Sequence, residues 1–292
     1  MNKNICVVGA GYWGKNHIRT LKRLNALKGI VELDDNILKN FLNKYPGVQG
    51  YSSIEDALLG DYDGFIIATP AKTHFEIAKI IIKAQKHLLI EKPMTLSIEE
   101  ARELVVLSEI NKVNAMVGHV LLFHPAVKKI KEMIENGEIG DLQYIYSNRL
   151  NLGKVRTEEN VFWSLAPHDI AIFQYLTGSV PKKINAIGSA FLQKGIPDST
   201  LTQLEYENEV RGHIFVSWLH PFKEHRLVVI GSEAMISFED SLEDKPLKLY
   251  SKKIDLKSGI PEKVDGPVKL VPFENKMPLD IELEYFIDHL SN

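Results

Sequence analysis

The sequence predicts an α/β Rossmann domain with a doubly wound parallel sheet, followed by an α+β domain whose mostly antiparallel, open-faced sheet carries helices on one face. Three observations lead to this fold class. Short apolar strand patterns alternate with helical patterns over residues 1–118, which is typical of a parallel sheet. A glycine-rich turn follows the first strand pattern. From residue 119 onward, longer stretches of alternating apolar and polar residues indicate antiparallel strands.

The first domain is expected to begin with a β-rich run at residues 4–11. A helix is predicted over 15–27, because the apolar residues from Ile18 to Leu27 recur at helical spacing. The later elements alternate in the same way, each ended by glycine, proline or polar residues. They are a strand at 28–33, a helix at 36–47, a strand at 62–70, a helix at 73–85, a strand at 86–91, a helix at 97–112 and a strand at 113–118.

Two of these helices begin with the pattern of a capping box. Thr73 precedes Glu76 by three residues, and Ser97 precedes Glu100 by the same interval. In that arrangement the hydroxyl accepts a hydrogen bond from the backbone N–H three residues on, which fixes the start of the helix. We therefore expect both helices to begin at these residues.

The second domain is predicted over residues 119–275, and residues 276–292 form a C-terminal helix that packs back on the first domain. A helix beginning after His124 is expected to end at Gly137, and another is expected over 166–178. Residues 241–275 are rich in lysine and proline and predict loops and edge strands. Six strands are expected, at 141–152, 183–192, 200–208, 210–219, 225–231 and 234–240.

The composition excludes several classes of protein. The 292 residues are 45% hydrophobic, and 35 basic against 38 acidic side chains give a net charge of −3. Nucleic acid is therefore not an expected partner. The apolar runs are shorter than the roughly 20 residues of a membrane span, and no signal-peptide pattern is present. Cys6 is the single cysteine, so a disulfide framework is excluded and a cytoplasmic location is expected.

The segment GAGYWG has the G-x-G-x-x-G spacing of a dinucleotide-binding turn between a strand and a helix. Gly9 permits the tight turn, Gly11 lets the backbone approach a pyrophosphate, and Gly14 allows close packing of helix on strand. The N–H groups at the helix start then face the phosphates, with Tyr12 and Trp13 beside the cofactor. The alternative is a glycine turn without a ligand.

An acidic residue about 20 positions further on completes this fingerprint, because it accepts both ribose hydroxyls and repels a 2′-phosphate. Glu32 stands at the expected end of the second strand, with Asp34 and Asp35 just after it. We assign the ribose to Glu32 and predict NAD rather than NADP. A solvated acid at a strand end is the alternative for Glu32, and Asp34 remains open as the ribose ligand.

Two later strands end in polar residues at the edge where open α/β sheets bind ligands. Lys92 follows an apolar strand directly, and desolvation there lowers the pKa of a lysine. Such a lysine can hydrogen-bond a substrate hydroxyl and take part in proton transfer. A surface lysine that extends its amine into water is the alternative. The residues expected to line one crevice with the cofactor are Thr69, Pro70, His74, Glu91 and Lys92.

His168 is predicted at the N-terminal end of an apolar helix, because Pro167 suits a first helical turn. The positive end of the helix dipole would favour the neutral imidazole that a general base needs. The core-facing residues of this helix are expected to be Ile170, Phe173 and Leu176. In the alternative, Asp169 caps the helix and His168 only packs.

These motifs together resemble the Gfo/Idh/MocA oxidoreductases: GAGYWG, then ATPAKTH, then EKP, then a sheet domain with a histidine. The resemblance covers nearly the whole chain. It implies that Lys92 contacts the nicotinamide ribose and the substrate, and that Pro93 follows a cis peptide. It also implies that His168 accepts the hydroxyl proton during hydride transfer to NAD. Members often carry an aspartate four residues before the histidine, where this chain has Ser164.

Further polar residues are candidates for substrate binding, with a solvated surface as the alternative for each. Arginine suits a diphosphate or carboxylate because it donates two parallel hydrogen bonds. His213, His220 and His225 show no metal-ligand spacing, so no metal is expected. The substrate candidates besides Lys92 and His168 are His119, Arg149, Asn151, Arg156 and Trp163, with Asn148, Lys154 and His124 as polar neighbours.

Within that family, residues 148–156 and 160–178 look most like the branch that oxidises UDP-N-acetylglucosamine at C3. That resemblance implies a 3-keto product that an aminotransferase converts to a diamino sugar for lipid A type glycolipids. Dehydrogenation of an inositol, a free sugar or another UDP-sugar is the alternative, as is an NAD-binding redox sensor without turnover. A six-stranded sheet with one uncovered face further suggests a homodimer or homotetramer.

Overall fold

The computed structural model describes residues 3–153, 155–157, 159–256 and 258–290. The chain divides into two compact units. The first comprises Met1–Phe123 and Lys276–Asn292, and the second comprises His124–Asn275. Each unit contains one large sheet, so the predicted fold class, a Rossmann domain followed by an α+β domain, is confirmed.

The first unit is built on a parallel sheet of six strands in the order β3-β2-β1-β4-β5-β6. The chain reverses its direction of winding between β1 and β4, which creates a crevice at the carboxyl ends of these strands. The strands are β1 (Ile5–Val8), β2 (Leu27–Val31), β3 (Gln49–Tyr51), β4 (Gly64–Ile67), β5 (His87–Glu91) and β6 (Ala115–Gly118).

Helices pack on both faces of this sheet because alternate strand residues point to opposite sides. Ile5 and Val7 of β1 belong to one apolar cluster, and Cys6 and Val8 belong to the other. The helices are α1 (Gly14–Arg23), α2 (Asp35–Lys44), α3 (Ile54–Leu58), α4 (His74–Lys83) and α5 (Ile98–Asn111), with short 3₁₀ helices at Ala71–Thr73 and Val120–Phe123.

Several sequence expectations for this unit are wrong in detail. Leu27 begins β2 instead of ending α1, and the short elements β3 and α3 were not foreseen. Ser97 caps α5 by accepting the Glu100 N–H as predicted. Thr73 makes no side-chain cap for α4. Its hydroxyl instead donates to the Pro70 carbonyl oxygen at 2.8 Å and contacts the Thr69 hydroxyl, so the turn before α4 uses the group that would have capped the helix.

The second unit has an eight-stranded sheet in the order β16-β13-β12-β11-β7-β10-β9-β8. The helices α6 (Pro125–Glu135) and α7 (Val161–Thr177) belong to this unit, and α7 packs on the central strands. The strands are β7 (Leu142–Leu150), β8 (Pro181–Ser189), β9 (Ser199–Tyr206), β10 (Arg211–Ser217), β11 (Glu224–Gly231), β12 (Met235–Glu239), β13 (Leu247–Tyr250) and β16 (Val268–Leu270), and a separate hairpin joins β14 (Lys253–Asp255) to β15 (Glu262–Val264).

The predicted number of six strands in this sheet is therefore wrong. Two more strands, β13 and β16, extend the sheet, and they lie within the segment predicted to hold edge strands. The central pair β7 and β10 is parallel, while the remaining pairs of this sheet are antiparallel. Predicted helix limits also shift: α6 ends at Glu135, before Gly137, and α7 begins at Val161. Asn160 caps α7 by accepting the Trp163 N–H at 3.0 Å, so Pro167 lies inside the helix.

The C-terminal helix α8 (Pro278–Asp288) belongs to the first unit. Its Leu283 and Phe286 join the apolar cluster of Ile18 and Leu21 from α1. Asp280 forms an ion pair with Arg23 of α1. The helix is thus held on the Rossmann sheet by both apolar burial and a surface charge pair.

Candidate active site

The glycine turn after β1 has room for a ligand where a dinucleotide phosphate would approach. Gly9 has a φ of +92°, and a Cβ there would lie 2.9 Å from Thr69 Cγ2. A Cβ on Gly14 would lie 1.9 Å from the Gly9 carbonyl oxygen. By contrast, a Cβ on Gly11 would meet no atom within 4 Å. Side chains are thus excluded at Gly9 and Gly14, while the space beside Gly11 is open, as a phosphate cradle requires.

Glu32 follows β2 and its carboxylate lies against this turn. One oxygen accepts the Ala10 N–H at 2.8 Å, and the other accepts the Asp34 N–H at 3.1 Å. Asp34 has a different task, because its carboxylate caps α2 by accepting the Asn36 and Ile37 N–H groups. The arrangement favours Glu32 over Asp34 as the ribose ligand and fits NAD, since a carboxylate accepts hydroxyl donors and repels a 2′-phosphate.

The aromatic residues of the turn lie in different surroundings. Tyr12 is 82% exposed, and the Lys15 ammonium lies 4.9 Å from the centre of its ring. Trp13 is only 36% exposed and its indole N–H donates to the Glu91 carboxylate. Trp13 therefore fastens the glycine turn to the end of β5, while Tyr12 stays available at the surface.

Glu91 connects the start of α1 to the backbone of Lys92. The oxygen that accepts Trp13 also lies 2.7 Å from Nε2 of the buried His17. The other oxygen accepts the Lys92 N–H at 3.2 Å. Glu91 was predicted to bind the cofactor, and the structure shows a buried carboxylate that contacts these three groups among the described residues. It places the lysine backbone beside the helix that follows the glycine turn.

The turn after β5 carries Lys92, which is half-buried, and the Lys92–Pro93 peptide is cis. His74, at the start of α4, is buried and contacts the backbone carbonyl oxygens of Thr69 and Pro93. Pro70 is exposed between Thr69 and the 3₁₀ turn. The turns after β4 and β5, which the sequence assigned to one crevice, are therefore joined through His74.

His119, which follows β6, is a further polar group of the first unit. Burial lowers its pKa, while the charge of Glu91 raises it and that of Lys92 lowers it. Its Nδ1 atom is buried and has no hydrogen-bond partner among the described residues. A neutral imidazole close to Lys92 is thus available for a hydrogen bond to a ligand.

Glu282 of α8 is an acid that the sequence did not single out. Its side chain is buried, and neither carboxyl oxygen has a hydrogen-bond partner in the described part of the chain. Burial and, secondarily, the charge of Glu91 raise the pKa of Glu282 to about 8. At neutral pH the group is therefore mainly protonated, because ionisation would place a second buried negative charge near Glu91.

This raised pKa predicts a pH-dependent stability. Between about pH 4.5 and pH 8 the native state binds a proton that the unfolded chain has lost, so stability falls with rising pH by about 1.4 kcal/mol per unit. Glu282→Gln should remove this slope, whereas Glu284→Gln, at an exposed position of α8, should keep it. Denaturant titrations of both variants across that range would measure the difference, and parallel pH profiles for wild type and Glu282→Gln would contradict the prediction.

In the second unit, Arg149 of β7 and Asp169 of α7 form a buried ion pair. The guanidinium donates through Nε and Nη2 to the two carboxylate oxygens at 2.8 and 3.0 Å. Burial works against the charged guanidinium, but Asp169 raises the pKa of Arg149 above its usual value. Arg149 was predicted to bind substrate; its described partner is Asp169, and it fixes α7 on the sheet.

His225 of β11 pairs with Arg149 across the sheet and was assigned no role from the sequence. Burial, then Arg149 and Lys223, lower the pKa of His225 to about 4. The imidazole is therefore neutral beside the ion pair at physiological pH. The spacing of histidines in the sequence gives no sign of this environment, because β7 and β11 are distant in the chain.

His168 lies two turns into α7, because the helix begins at Val161. The expectation that Pro167 marks the first turn is wrong, and with it the argument that the helix dipole keeps His168 neutral, since that field acts mainly at the first turn. Phe173 is buried as expected, but Ile170 is 36% exposed. His168 still adjoins Asp169, so the Arg149 ion pair holds the backbone that carries it.

The other residues predicted to bind substrate are more exposed than Arg149 and Asp169 or make only backbone hydrogen bonds within the described residues. Trp163 is 51% exposed on α7, and the Asn151 N–H donates to the Ser217 carbonyl oxygen. The Arg156 side chain is 48% exposed and lies 3.7 Å from Glu159. Lys154 lies outside the described residues. Arg156 thus presents a half-exposed guanidinium on this segment.

No group of three or more histidine, cysteine, aspartate or glutamate side chains in the described ranges is placed to hold a metal ion. Among the helices of those same ranges, none is long and apolar enough to cross a membrane.

Comparison with known protein families identifies both units. Residues 3–119 match the family described as "Oxidoreductase family, NAD-binding Rossmann fold". Residues 127–237 match the Gfo/Idh/MocA C-terminal domain. The two matched regions follow each other in the order that the sequence motifs predict.

Characterised and uncharacterised relatives agree with this assignment. The UDP-N-acetylglucosamine 3-dehydrogenase of Acidithiobacillus ferrooxidans is 30% identical over 98% of this chain and 88% of its own length. An inositol 2-dehydrogenase of Corynebacterium glutamicum is 27% identical over 70% of this chain and 64% of its own length. An uncharacterized oxidoreductase of Bacillus subtilis, YrbE, is 29% identical over 69% of this chain, which spans 63% of that relative.

Solved structures share the fold. The Acidithiobacillus ferrooxidans enzyme superposes with a TM-score of 0.87 at 23% identity, over 100% of this chain and 90% of that one. The WlbA dehydrogenase of Bordetella pertussis, in complex with NADH and UDP-GlcNAcA, gives 0.74 at 20% identity over 84% of this chain and 80% of that one. Together with the matched family models and the geometry of the glycine turn, these relations show that the chain belongs to the Gfo/Idh/MocA family of oxidoreductases and that its Rossmann domain uses NAD.

Proposed function

We propose that this protein is an NAD-dependent dehydrogenase of a sugar nucleotide, and that it oxidises C3 of UDP-N-acetylglucosamine to the 3-keto sugar. The observation that carries the assignment to hydroxyl oxidation is the position of Lys92 at the carboxyl end of β5. The Glu91 carboxylate connects its backbone to Trp13 of the glycine turn and to His17 of α1. The choice of sugar is supported by the 30% identity to the 3-dehydrogenase, which extends over 98% of this chain.

The proposed reaction divides the work between two side chains. His168 accepts the proton of the substrate hydroxyl, and the Lys92 ammonium donates a hydrogen bond to the same oxygen. When bound, NAD supplies the acceptor for the hydride that leaves the substrate carbon. Glu91 keeps the Lys92 backbone in place, and the Arg149–Asp169 ion pair does the same for the helix segment that carries His168.

Anionic groups of the substrate require separate contacts. A UDP-sugar carries a diphosphate, and the exposed Arg156 guanidinium has the donor geometry to bind it. His119, with a buried unpartnered Nδ1, is assigned to a sugar hydroxyl. Asn151 and Trp163 complete the proposed contacts, the first as an amide donor and the second as an apolar surface for a ring.

Further proposals concern the setting of the enzyme. The 3-keto product is a substrate for an aminotransferase, as in diamino-sugar synthesis for lipid A type glycolipids. The free, buried Cys6 suits the reducing cytoplasm, where we place the protein. A homodimer or homotetramer would cover the sheet face of the second unit that carries Tyr144, Tyr146 and His213, on which the structure shows a cavity of about 470 Å³ beside Tyr144.

The test is an assay of NADH formation with UDP-N-acetylglucosamine, other UDP-sugars, inositol and free sugars in parallel. The proposal expects turnover with UDP-N-acetylglucosamine and a thermal stabilisation by UDP, because a ligand that binds only the native state raises the melting temperature. Turnover with inositol and no stabilisation by UDP would indicate that the substrate is an inositol. The 27% identity to an inositol 2-dehydrogenase supports that alternative. Binding of NAD without turnover of any of these alcohols would instead indicate a redox sensor.

A further inference from the structure

His74 joins the ends of two neighbouring strands through both of its ring nitrogens. Nε2 lies 2.9 Å from the Thr69 carbonyl oxygen after β4, and Nδ1 lies 2.8 Å from the Pro93 carbonyl oxygen after β5. The residue is 1% exposed, so water does not compete for either contact. Thr69 is only five residues away in the chain, whereas Pro93 is 19 residues away, and the second contact therefore connects separate elements.

The chemistry of the two partners restricts the state of the ring. A backbone carbonyl oxygen accepts hydrogen bonds and cannot donate them. A neutral imidazole has one N–H group, so its second nitrogen would direct a lone pair at a carbonyl oxygen within hydrogen-bonding distance. An imidazolium has two N–H donors and satisfies both carbonyls. Hydrogen bonds from a charged donor are also stronger, which reduces the cost of burying the charge.

The charges on the surrounding elements act in both directions. His74 is the first residue of α4, where the helix dipole disfavours a cation, and Lys72 lies just before it. Glu76 in the first turn of α4 favours the cation. On the neighbouring turn, Glu91 and Lys92 carry opposite charges. The two carbonyl acceptors are thus the specific feature that favours an imidazolium at this place.

We infer that His74 is a positioning residue, a doubly protonated brace that holds the Lys92–Pro93 turn at a fixed distance from the Thr69 turn. Its effect on catalysis rests on the proposed function, because Lys92 is the group that meets the substrate hydroxyl. The ring itself donates to two backbone carbonyls, so it acts on the reaction through Lys92. The sequence suggested a direct contact of His74 with the cofactor, and the brace gives this residue a different task.

Nuclear magnetic resonance of the wild-type protein labelled with ¹⁵N-histidine tests the state of the ring directly. We expect both ring nitrogens of His74 to carry protons at neutral pH, with two slowly exchanging N–H signals. His74→Phe identifies the resonance by its loss. A single N–H on a neutral ring would overturn the inference. This measurement needs no substrate, so its outcome is independent of whether UDP-N-acetylglucosamine is turned over.

Kinetics test the positioning role. His74→Gln keeps one amide that can donate to one carbonyl, and His74→Phe keeps the bulk without a donor. We expect kcat to fall by about 100-fold in His74→Phe, since a misplacement of about 1 Å has that effect, and by less in His74→Gln. The Kd for NADH, followed by fluorescence, should stay within about threefold of wild type, because the glycine turn and Glu32 are unchanged.

The matched control is His87→Gln. His87 begins β5, the strand that precedes Lys92, and its Nδ1 accepts the Asn114 N–H. It should leave kcat and the NADH affinity unchanged. A fall in kcat and NADH affinity together in His74→Phe, or an equal fall in His87→Gln, would show general destabilisation of the sheet and would refute a specific brace. If His74→Phe fails to fold, His74→Gln and the wild-type ring signals still decide the question.

Discussion

Replacing Lys92 by alanine should lower kcat by about 10²–10³-fold and leave NAD binding nearly intact, because it removes the hydrogen-bond donor to the oxygen on which negative charge develops. Lys92 leaves the end of β5 at the carboxyl edge of the sheet, beside the carboxylate that holds Trp13 and His17. Gly11 and Glu32, which we propose bind the cofactor, lie on other segments. A specific loss of turnover is therefore expected, measured as NADH formation, with NADH affinity measured separately by fluorescence.

Lys72→Ala is the control for the loss of a nearby positive charge, since Lys72 is exposed on the 3₁₀ turn after β4. It should turn over at the wild-type rate. Lys92→Arg keeps the charge but changes the donor geometry, and should recover only part of the activity. Activity of Lys92→Ala within about tenfold of wild type would exclude the proposed hydrogen bond from Lys92 to the reacting oxygen, although the oxidoreductase family assignment would stand.

Removing the Arg149 guanidinium should destabilise the second unit by about 3–5 kcal/mol, because it leaves the Asp169 carboxylate buried without its partner. Arg149→Met keeps much of the volume and the apolar stem. Asp169→Leu alone should lower the stability of the second unit by a similar amount, because it leaves the Arg149 guanidinium buried without its partner. The double variant should recover most of the loss, since neither charge then remains buried. Denaturant unfolding, followed as the transition of the second unit, measures all three.

Arg226→Met provides the matched control on the same sheet. Arg226 of β11 binds Glu239 at 2.9 Å, but its side chain is 45% exposed, so the expected loss is below about 1 kcal/mol. Equal losses for Arg226→Met and Arg149→Met would mean that burial adds nothing to the Arg149–Asp169 pair. Additive losses in the double variant would mean that the two side chains act independently.

Much of the first unit follows from local sequence patterns. Apolar runs of four or five residues, separated by amphipathic helices, specify the parallel strands, and the glycine spacing specifies the turn between β1 and α1. The assignment to the Gfo/Idh/MocA family and to NAD is confirmed. Short elements such as β3 and α3 escaped prediction, because three to five residues carry too little periodicity to separate them from a loop.

Helix α7 shows where local signals mislead. Pro167 is typical of a first helical turn, yet Asn160 caps the helix two turns earlier. Val161 and Ala166, before the proline, are fully buried, and this burial outweighs the hydrogen bond that the proline removes. The position of His168 within the helix is therefore a property of the packed unit.

By itself, the sequence determined the two kinds of sheet and the glycine turn between β1 and α1, because these depend on residue types at short, fixed spacings. Only the tertiary structure decided the partners of the buried charges. Trp13 and His17 reach Glu91 across 78 and 74 residues of chain, and Arg149 meets Asp169 from a different element. Glu282 approaches Glu91 from the far end of the chain. The charge states and hydrogen bonds of such groups depend on burial and on distance in space. Neither burial nor distance can be read from a regular spacing of residues in the sequence.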